Sequence, residues 1–141
     1  YTTLFRSQAD KDSMFNTPPV FPIYMLGKVL KWMRDQGGVE AMERQAEDKA
    51  GILYRAIEQS SGYYRCPVDV DSRSVMNVVF RLPTEDLEKT FLSGADAVGL
   101  LNLKGHRSVG GIRASIYNAL PKEGVQALAT FMSEFQSAHP A

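Results

Sequence analysis

The sequence predicts an α+β domain in which helices pack on a small, mostly antiparallel sheet. Three observations lead to this fold class. Several segments repeat apolar residues at helical spacing, others alternate apolar and polar residues, and the elements follow the order helix, helix, strand, helix, strand, strand, helix. A chain of 141 residues can bury about two-thirds of its unfolded surface, so we expect one domain with its own core.

Two long helices open this order. The first is predicted over residues 20–36 and ends at the glycine pair 37–38. The second is predicted over residues 39–60, with an apolar stripe on one side and a charged, solvated surface on the other. Lys49 falls on the apolar stripe, where Ala50 supplies the apolar side chain instead. We expect Lys49 to be solvated, like the charged residues on the other side of the helix.

Strands and two further helices follow. The strands are predicted over residues 75–82, 100–103 and 112–117. In the last strand the apolar side chains fall on one face and Arg113 on the other. Thr84 is a candidate N-cap for a helix that ends at Gly99, and a final helix begins at Pro121. His139 is expected to be frayed and without a role.

A polar corner precedes the first long helix. Residues 1–5 are β-prone, and residues 6–13 are polar and rich in turn formers. Asn16 and Thr17 then stand directly before two prolines, which stiffen the backbone and favour an extended Thr17. Capping of the following helix by these short polar side chains is one interpretation of the pair.

Composition excludes some classes of protein. Sixteen basic residues balance sixteen acidic ones, so the positive charge of a general nucleic-acid or acidic-membrane binder is missing. The chain opens with neither an initiator methionine nor a signal peptide, which suggests a piece of a longer protein. The apolar stretch at residues 20–33 is too short and too polar to span a bilayer. Cys66 is the only cysteine, so we expect a cytoplasmic protein without an intrachain disulfide.

Residues 104–118 concentrate groups that bind anions. His106, Arg107 and Arg113 lie there among three glycines. Glycine lets the backbone adopt positive φ and approach a ligand closely, and each guanidinium offers a rigid fork of donors to a carboxylate or a phosphate. Two arginines in one short segment suggest a ligand with two separate anionic groups. A basic surface loop followed by an edge strand is the alternative interpretation.

Two motifs in this sequence resemble those of a known family. Gly-His-Arg-Ser-Val-Gly-Gly-x-Arg-Ala-Ser-x-Tyr-Asn-Ala at residues 105–119 resembles the C-terminal signature of the phosphoserine aminotransferases, which are class-V, fold-type I enzymes that use pyridoxal phosphate. Ser-Met-Phe-Asn-Thr-Pro-Pro at residues 13–19 resembles their cofactor-phosphate segment, and Gly-Gly-Val at residues 37–39 also fits. The resemblance covers nearly the whole chain, which would be the C-terminal part of a family member.

This resemblance implies a domain organisation. Residues 1–19 would end the α/β large domain, residues 20–60 would form linking helices, and residues 61–141 would be the C-terminal small domain. The lysine that holds the cofactor would lie upstream, because none of the lysines here sits in the matching motif. We therefore expect no catalytic residue in this chain and no activity from it alone.

The resemblance also assigns binding residues. Asn16 and Thr17 would contact the phosphate of pyridoxal phosphate bound in the neighbouring subunit of a homodimer with shared active sites. Arg113 would bind the α-carboxylate of the substrate. His106 and Arg107 would bind the distal anion, which is the phosphate of phosphoserine or the side-chain carboxylate of glutamate. No metal is expected.

The reaction implied is amino transfer from glutamate to 3-phosphohydroxypyruvate, which yields phosphoserine and 2-oxoglutarate by a ping-pong route. The resemblance places it in serine biosynthesis and also implies phosphohydroxythreonine, in pyridoxine biosynthesis, as a second product in bacterial members. If the chain were complete in itself, the alternative would be a non-catalytic regulatory domain that binds a phosphate or a dicarboxylate through His106, Arg107 and Arg113.

Overall fold

The computed structural model describes the backbone of residues 2–140 and the side chains of residues 5–140. The chain divides into two compact units, residues 1–40 and residues 41–141. The expected division into residues 1–19, 20–60 and 61–141 refers to a longer enzyme and stays a prediction.

The first unit contains α1 (Thr2–Ala9) and α2 (Val20–Asp35). The β-prone interpretation of residues 1–5 is therefore wrong from Thr2 onward, and Tyr1 lies outside the described residues. The prediction of turns holds only after Ala9, where Asp12 and Ser13 have φ values of 49° and 65°. Strand propensity is a weak preference, and a helix pairs the backbone groups of such a segment without a neighbouring strand.

The second helix starts without a side-chain cap. Its N-cap residue is Pro19, and Val20 N–H donates to the carbonyl of Pro18 at 2.8 Å. The interpretation of Asn16 and Thr17 as capping residues is therefore wrong. Their side chains make no hydrogen bond within the part of the chain that the structure describes.

No residue of α2 is buried, although the whole helix lies within the described range. Large apolar side chains are exposed along it, namely Val20, Phe21, Ile23, Tyr24, Met25, Leu26, Val29, Leu30 and Trp32. A helix with apolar residues on most of its sides is normally covered by other protein surface. Membrane crossing is a separate matter, since no helix in the described part of the chain is both long and apolar enough for it.

The remaining elements are α3 (Gly38–Gln59), a short 3-10 turn (Val70–Ser72), β1 (Asn77–Phe80), α4 (Glu85–Ala97), β2 (Ile112–Ser115) and α5 (Lys122–Ala138). The predicted helices are thus confirmed within one or two residues. Thr84 caps α4 as predicted, because its Oγ accepts a hydrogen bond from Leu87 N–H at 3.2 Å.

The sheet of the described residues has two strands. β1 and β2 pair antiparallel, with Val78 opposite Ala114 and Val79 opposite Arg113. Val78 and Ala114 are buried, so this face of the sheet meets the core, as the alternation predicts. Arg113 consequently lies on the opposite face.

The core of the second unit is built around aromatic rings. Phe91 packs edge-to-face on Phe80, Tyr64 and Phe135, with ring centroids 5.8, 6.1 and 5.1 Å apart. The hydroxyl of Tyr64 donates to the carbonyl of Met132 at 2.8 Å, and burial raises the pKa of Tyr64. These contacts join the segment before β1 to α4 and α5.

The strand predicted over residues 100–103 is wrong. The segment is irregular and is followed by one isolated bridge, between Lys104 and Ile112. Asn102 has a φ of 62°, a left-handed conformation that interrupts an extended run. The strand predicted over residues 75–82 is confirmed but is shortened to the four residues of β1.

Two side chains predicted to be solvated or idle are packed instead. Lys49 is only 4% exposed, and its Nζ donates to the carbonyls of Tyr117 at 2.7 Å and Leu120 at 3.0 Å. Burial lowers its pKa. The ring of His139 stacks on Phe135 with centroids 4.2 Å apart, so it is not frayed. The Lys49 prediction failed because its acceptors are backbone carbonyls far away in the sequence. The His139 prediction failed because Phe135, one helical turn earlier, offers its ring a stacking surface.

Candidate functional site

The glycine-rich segment at residues 105–111 forms a closed loop, called the anion loop below. Gly105 N–H donates to the carbonyl of Gly111 at 2.8 Å, and the carbonyl of His106 accepts from Val109 N–H and Gly110 N–H at 2.9 and 2.7 Å. Gly110 and Gly111 have φ values of 74° and 73°, which only glycine adopts without strain. A Cβ on Gly105 would lie 2.7 Å from the carbonyl oxygen of Gly111, so the loop closes only over a bare backbone.

His106 is oriented by Ser108 within this loop. Its Nδ1 lies 2.7 Å from the hydroxyl of Ser108 and 3.3 Å from Ser108 N–H. Because a backbone N–H can only donate, Nδ1 acts as an acceptor, and the neutral ring carries its proton on Nε2. The imidazole therefore presents an Nε2–H donor to a ligand. Arg107 is exposed beside it and has no ion pair within the described residues.

Arg113 is held in place by the backbone of β2. The backbone N–H of Arg113 donates to the carbonyl of Leu103 at 2.7 Å, and Arg113 lies opposite Val79 in the β1–β2 ladder. Its Nε is buried and has no hydrogen-bond partner, and no carboxylate of the described residues pairs with its guanidinium. A buried donor without a partner is costly. Such a group is typical of a site completed by a ligand.

A cavity of about 370 Å³ joins these residues. Arg113, His106 and Arg81 line it, and Val68, Val79 and Val109 supply apolar walls. The structure thus brings together two of the predicted residues, His106 and Arg113. Arg107 lies on the same loop but is not part of this wall.

Asn16 and Thr17 lie in the first compact unit and are exposed. Neither side chain has a hydrogen-bond partner within the described residues. Both can donate to phosphate oxygens, and the two prolines that follow restrict the backbone that carries them. The pair therefore fits an anionic group that is supplied from outside this segment.

Sequence reasoning missed Arg81. It directly follows β1, lines the same cavity as Arg113 and pairs with Glu88, whose Oε2 lies 3.3 Å from its Nη1. The signal was present, because Arg81 stands two positions after Val79 and therefore on the face of β1 that carries Arg113.

Sequence reasoning also misjudged Lys49. A buried lysine with a lowered pKa is a common sign of a reactive amine. Here the Nζ is occupied by two carbonyl oxygens, and the neighbouring cavity of about 200 Å³ is lined by Asn118, Pro121 and Lys122 rather than by the anion loop. Lys49 therefore serves to anchor the loop that follows β2.

Comparison with known proteins extends these observations. The sequence profile described as aminotransferase class-V matches residues 3–128. Phosphoserine aminotransferase from Laribacter hongkongensis is 60% identical over 135 residues, which cover 96% of this chain and 38% of that protein. Phosphoserine aminotransferase from Geobacillus kaustophilus is 54% identical over 132 residues, which cover 94% of this chain and 37% of that protein.

Solved structures give the same result. Phosphoserine aminotransferase from Bacillus circulans subsp. alkalophilus superimposes with a TM-score of 0.90 at 50% identity, over 95% of this chain and 37% of that one. A phosphoserine aminotransferase from Trichomonas vaginalis with bound pyridoxal phosphate gives a TM-score of 0.83 at 38% identity, over 92% of this chain and 37% of that one. The chain thus spans less than two-fifths of the length of these relatives. These matches confirm the resemblance and the fold that the sequence predicts.

Proposed function

The chain belongs to the class-V aminotransferase family, and we propose that it forms the C-terminal part of a phosphoserine aminotransferase. The proposed reaction moves the amino group of glutamate to 3-phosphohydroxypyruvate and yields phosphoserine and 2-oxoglutarate. Phosphohydroxythreonine is proposed as a second product, since it has the same α-amino acid head and the same phosphate tail as phosphoserine.

The state of Arg113 is the observation that carries this proposal. Its guanidinium faces a cavity, its Nε is buried without a partner, and its backbone is fixed in the β1–β2 ladder. A carboxylate would satisfy it through two parallel hydrogen bonds. We therefore assign the α-carboxylate, which both amino-acid substrates share, to Arg113.

The distal anion is assigned to the anion loop. His106 offers Nε2–H, and Arg107 adds an exposed positive charge on the next residue. Phosphate and carboxylate differ in shape and charge, but both accept from an imidazole N–H and a guanidinium. A transaminase needs this tolerance, because its two amino-acid substrates share a head and differ in the anionic tail.

Asn16 and Thr17 are proposed to hold the phosphate of pyridoxal phosphate. They are polar and exposed, and their side chains have no partner in the part of the chain that the structure describes, so the bound phosphate would complete their hydrogen bonds. When bound, pyridoxal phosphate supplies the electron sink that makes amino-group exchange possible. We assign no lysine of this chain to the cofactor, because none sits in the matching motif. Lys49, the buried lysine among the described residues, is already bonded to two carbonyls.

We also propose a homodimer with shared sites. The exposed apolar side chains of α2 are the kind of surface that a subunit interface or a further domain covers. In this arrangement the active site of one subunit is completed by four residues of the other, Asn16, Thr17, His106 and Arg107.

The first test uses the full-length enzyme. Arg113→Lys keeps the charge but loses the fork, and we expect both substrates to lose about 2–5 kcal/mol of transition-state binding. Arg65→Lys is a matched control, because Arg65 is exposed and does not line the cavity. Loss of phosphoserine turnover with intact glutamate turnover would contradict the assignment of Arg113. Absence of any amino transfer by the wild-type enzyme would contradict the proposed function itself.

The second test addresses the shared site. One full-length chain lacks the cofactor lysine, and the other carries His106→Ala and Arg107→Ala, so each homodimer is expected to be nearly inactive toward phosphoserine. A mixed dimer has one intact site if these residues act across the interface, and it should recover about half of the activity. Mixed dimers verified by differential tags that recover nothing would refute the shared site.

A further inference from the structure

Arg81 has no role in the proposed function, yet it lies beside the anion loop. Its Nη1 donates to Oε2 of Glu88 at 3.3 Å, and the Glu88 side chain is only 12% exposed. The other carboxylate oxygen of Glu88 lies 3.4 Å from Leu82 N–H. Glu88, on α4, therefore fixes the position of the Arg81 guanidinium. Arg81 already has an ion-pair partner and does not need an anionic ligand.

The side chain of Arg81 occupies the space beside two glycines of the loop. A Cβ on Gly110 would lie 2.8 Å from Nη1 of Arg81, and a Cβ on Gly111 would lie 2.7 Å from its Cδ. Both distances are shorter than a real Cβ contact. The absence of side chains at these two positions is what lets Arg81 pack against the loop backbone.

We propose that Arg81 is a positioning residue for the anion loop, which it supports at Gly110 and Gly111 so that His106 meets the distal anion. This inference rests on the proposed function. Among the described residues, the loop is also supported by its internal hydrogen bonds and by its junction with β2. Arg113 is held by the strand ladder instead, so loss of Arg81 should disturb only the distal end of the cavity.

The first experiment measures the loop itself in the full-length enzyme without substrate. Amide hydrogen exchange of Val109 and Gly110 is compared in wild type, Arg81→Ala and Arg65→Ala. Arg65 is the matched control, because it pairs with Arg81 in the isolated bridge but does not line the cavity. We expect exchange about tenfold faster in Arg81→Ala and unchanged in Arg65→Ala. Wild-type exchange in Arg81→Ala would overturn the proposal, whatever the enzyme is found to catalyse.

A second experiment separates support of the loop from direct contact with the ligand. For Arg81→Ala, kcat/KM for phosphoserine should fall about tenfold, mainly through KM, whereas the slow turnover of L-alanine, which has no anionic tail, should not change. Weaker use of phosphoserine with unchanged loop exchange would mean that Arg81 binds the ligand directly, which would also overturn the proposal. A wild-type enzyme without transaminase activity would refute the proposed function, and the exchange data would still decide the role of Arg81.

A double-mutant cycle tests the packing contact. Gly110→Ala forces the Arg81 side chain to move and also places alanine at positive φ. The backbone strain is common to both backgrounds and cancels in the cycle. We therefore expect the effect of Gly110→Ala on loop exchange to be about fivefold smaller when residue 81 is already alanine. Equal effects in both backgrounds would show that Arg81 and Gly110 are not coupled and would refute the proposed contact.

Discussion

Replacement of Lys49 by Met should destabilise the second compact unit. Lys49 is 4% exposed, and its ammonium donates to the carbonyls of Tyr117 and Leu120. Methionine keeps most of the side-chain volume and removes the ammonium that makes both hydrogen bonds. Each charged hydrogen bond is worth about 1.5–3 kcal/mol, and the burial of an ammonium offsets part of this, so we expect a net loss of about 2 kcal/mol.

The pH dependence of the free energy of unfolding provides a second, independent test of this prediction. Burial lowers the pKa of Lys49 below its ordinary value of 10.5. Between the lowered value and 10.5 the unfolded state binds more protons than the folded state, so the contribution of Lys49 to the free energy of unfolding rises with pH. The difference between wild type and Lys49→Met should therefore grow as the pH is raised toward 10.5.

Urea unfolding followed by circular dichroism at a series of pH values measures both effects. Tryptophan fluorescence is unsuitable, because Trp32 lies in the first unit. Lys122→Met is the matched control, since Lys122 lines the same cavity but is exposed and pairs with Asp48 at 3.6 Å, a contact worth about 0–1 kcal/mol. Equal stability of Lys49→Met and wild type, or a difference that shrinks with rising pH, would refute the reasoning.

The proposed site can be tested at Gly105, at the lysine side chains and at His106. Gly105→Ala should weaken distal-anion binding at least about tenfold, because the loop closes over a bare backbone. Gly124→Ala should not weaken it, since a Cβ there would meet Leu120 at an ordinary 3.6 Å, and equal phosphoserine KM values for the two variants would contradict this. Borohydride reduction of residues 1–141 with pyridoxal phosphate should give no stoichiometric adduct, because no lysine here is assigned to the cofactor. A single stoichiometric adduct on any one lysine of the chain would overturn the assignment. Nitrogen-15 spectra should place the proton of the neutral His106 ring on Nε2, and Ser108→Ala should reduce that tautomer; a dominant Nδ1–H form would show that Ser108 does not orient the ring.

Local patterns predicted the framework of the second unit well. The alternation at residues 112–117 identified the buried face of β2, and the position of Thr84 identified the start of α4. Both depend on neighbours within a few positions, which the sequence displays directly. Residues 105–111 were singled out for the same reason, because their glycines and cationic residues are contiguous. The binding of an anion there stays a prediction.

Contacts between distant segments could not be predicted in this way. Lys49 depends on two backbone carbonyls 68 and 71 positions away, and no residue type marks a carbonyl as an acceptor. The strand expected at residues 100–103 failed because one residue, Asn102, adopts a left-handed conformation. Arg81 was visible as a charge at the end of a strand, but its packing against the loop depends on the three-dimensional approach of residues 110–111.

The two ends of the cavity are built by different means, and this difference suits the proposed chemistry. Arg113 is fixed by the strand ladder, whose geometry a ligand cannot easily change. His106 stands on a loop that is held by its own hydrogen bonds and by the side chain of Arg81. Substrates that share a carboxylate head need one rigid anchor for it, since the reacting centre lies beside that head. Tails as different as phosphate and carboxylate need donors that can adjust, and a loop supported by a side chain allows more adjustment than a strand.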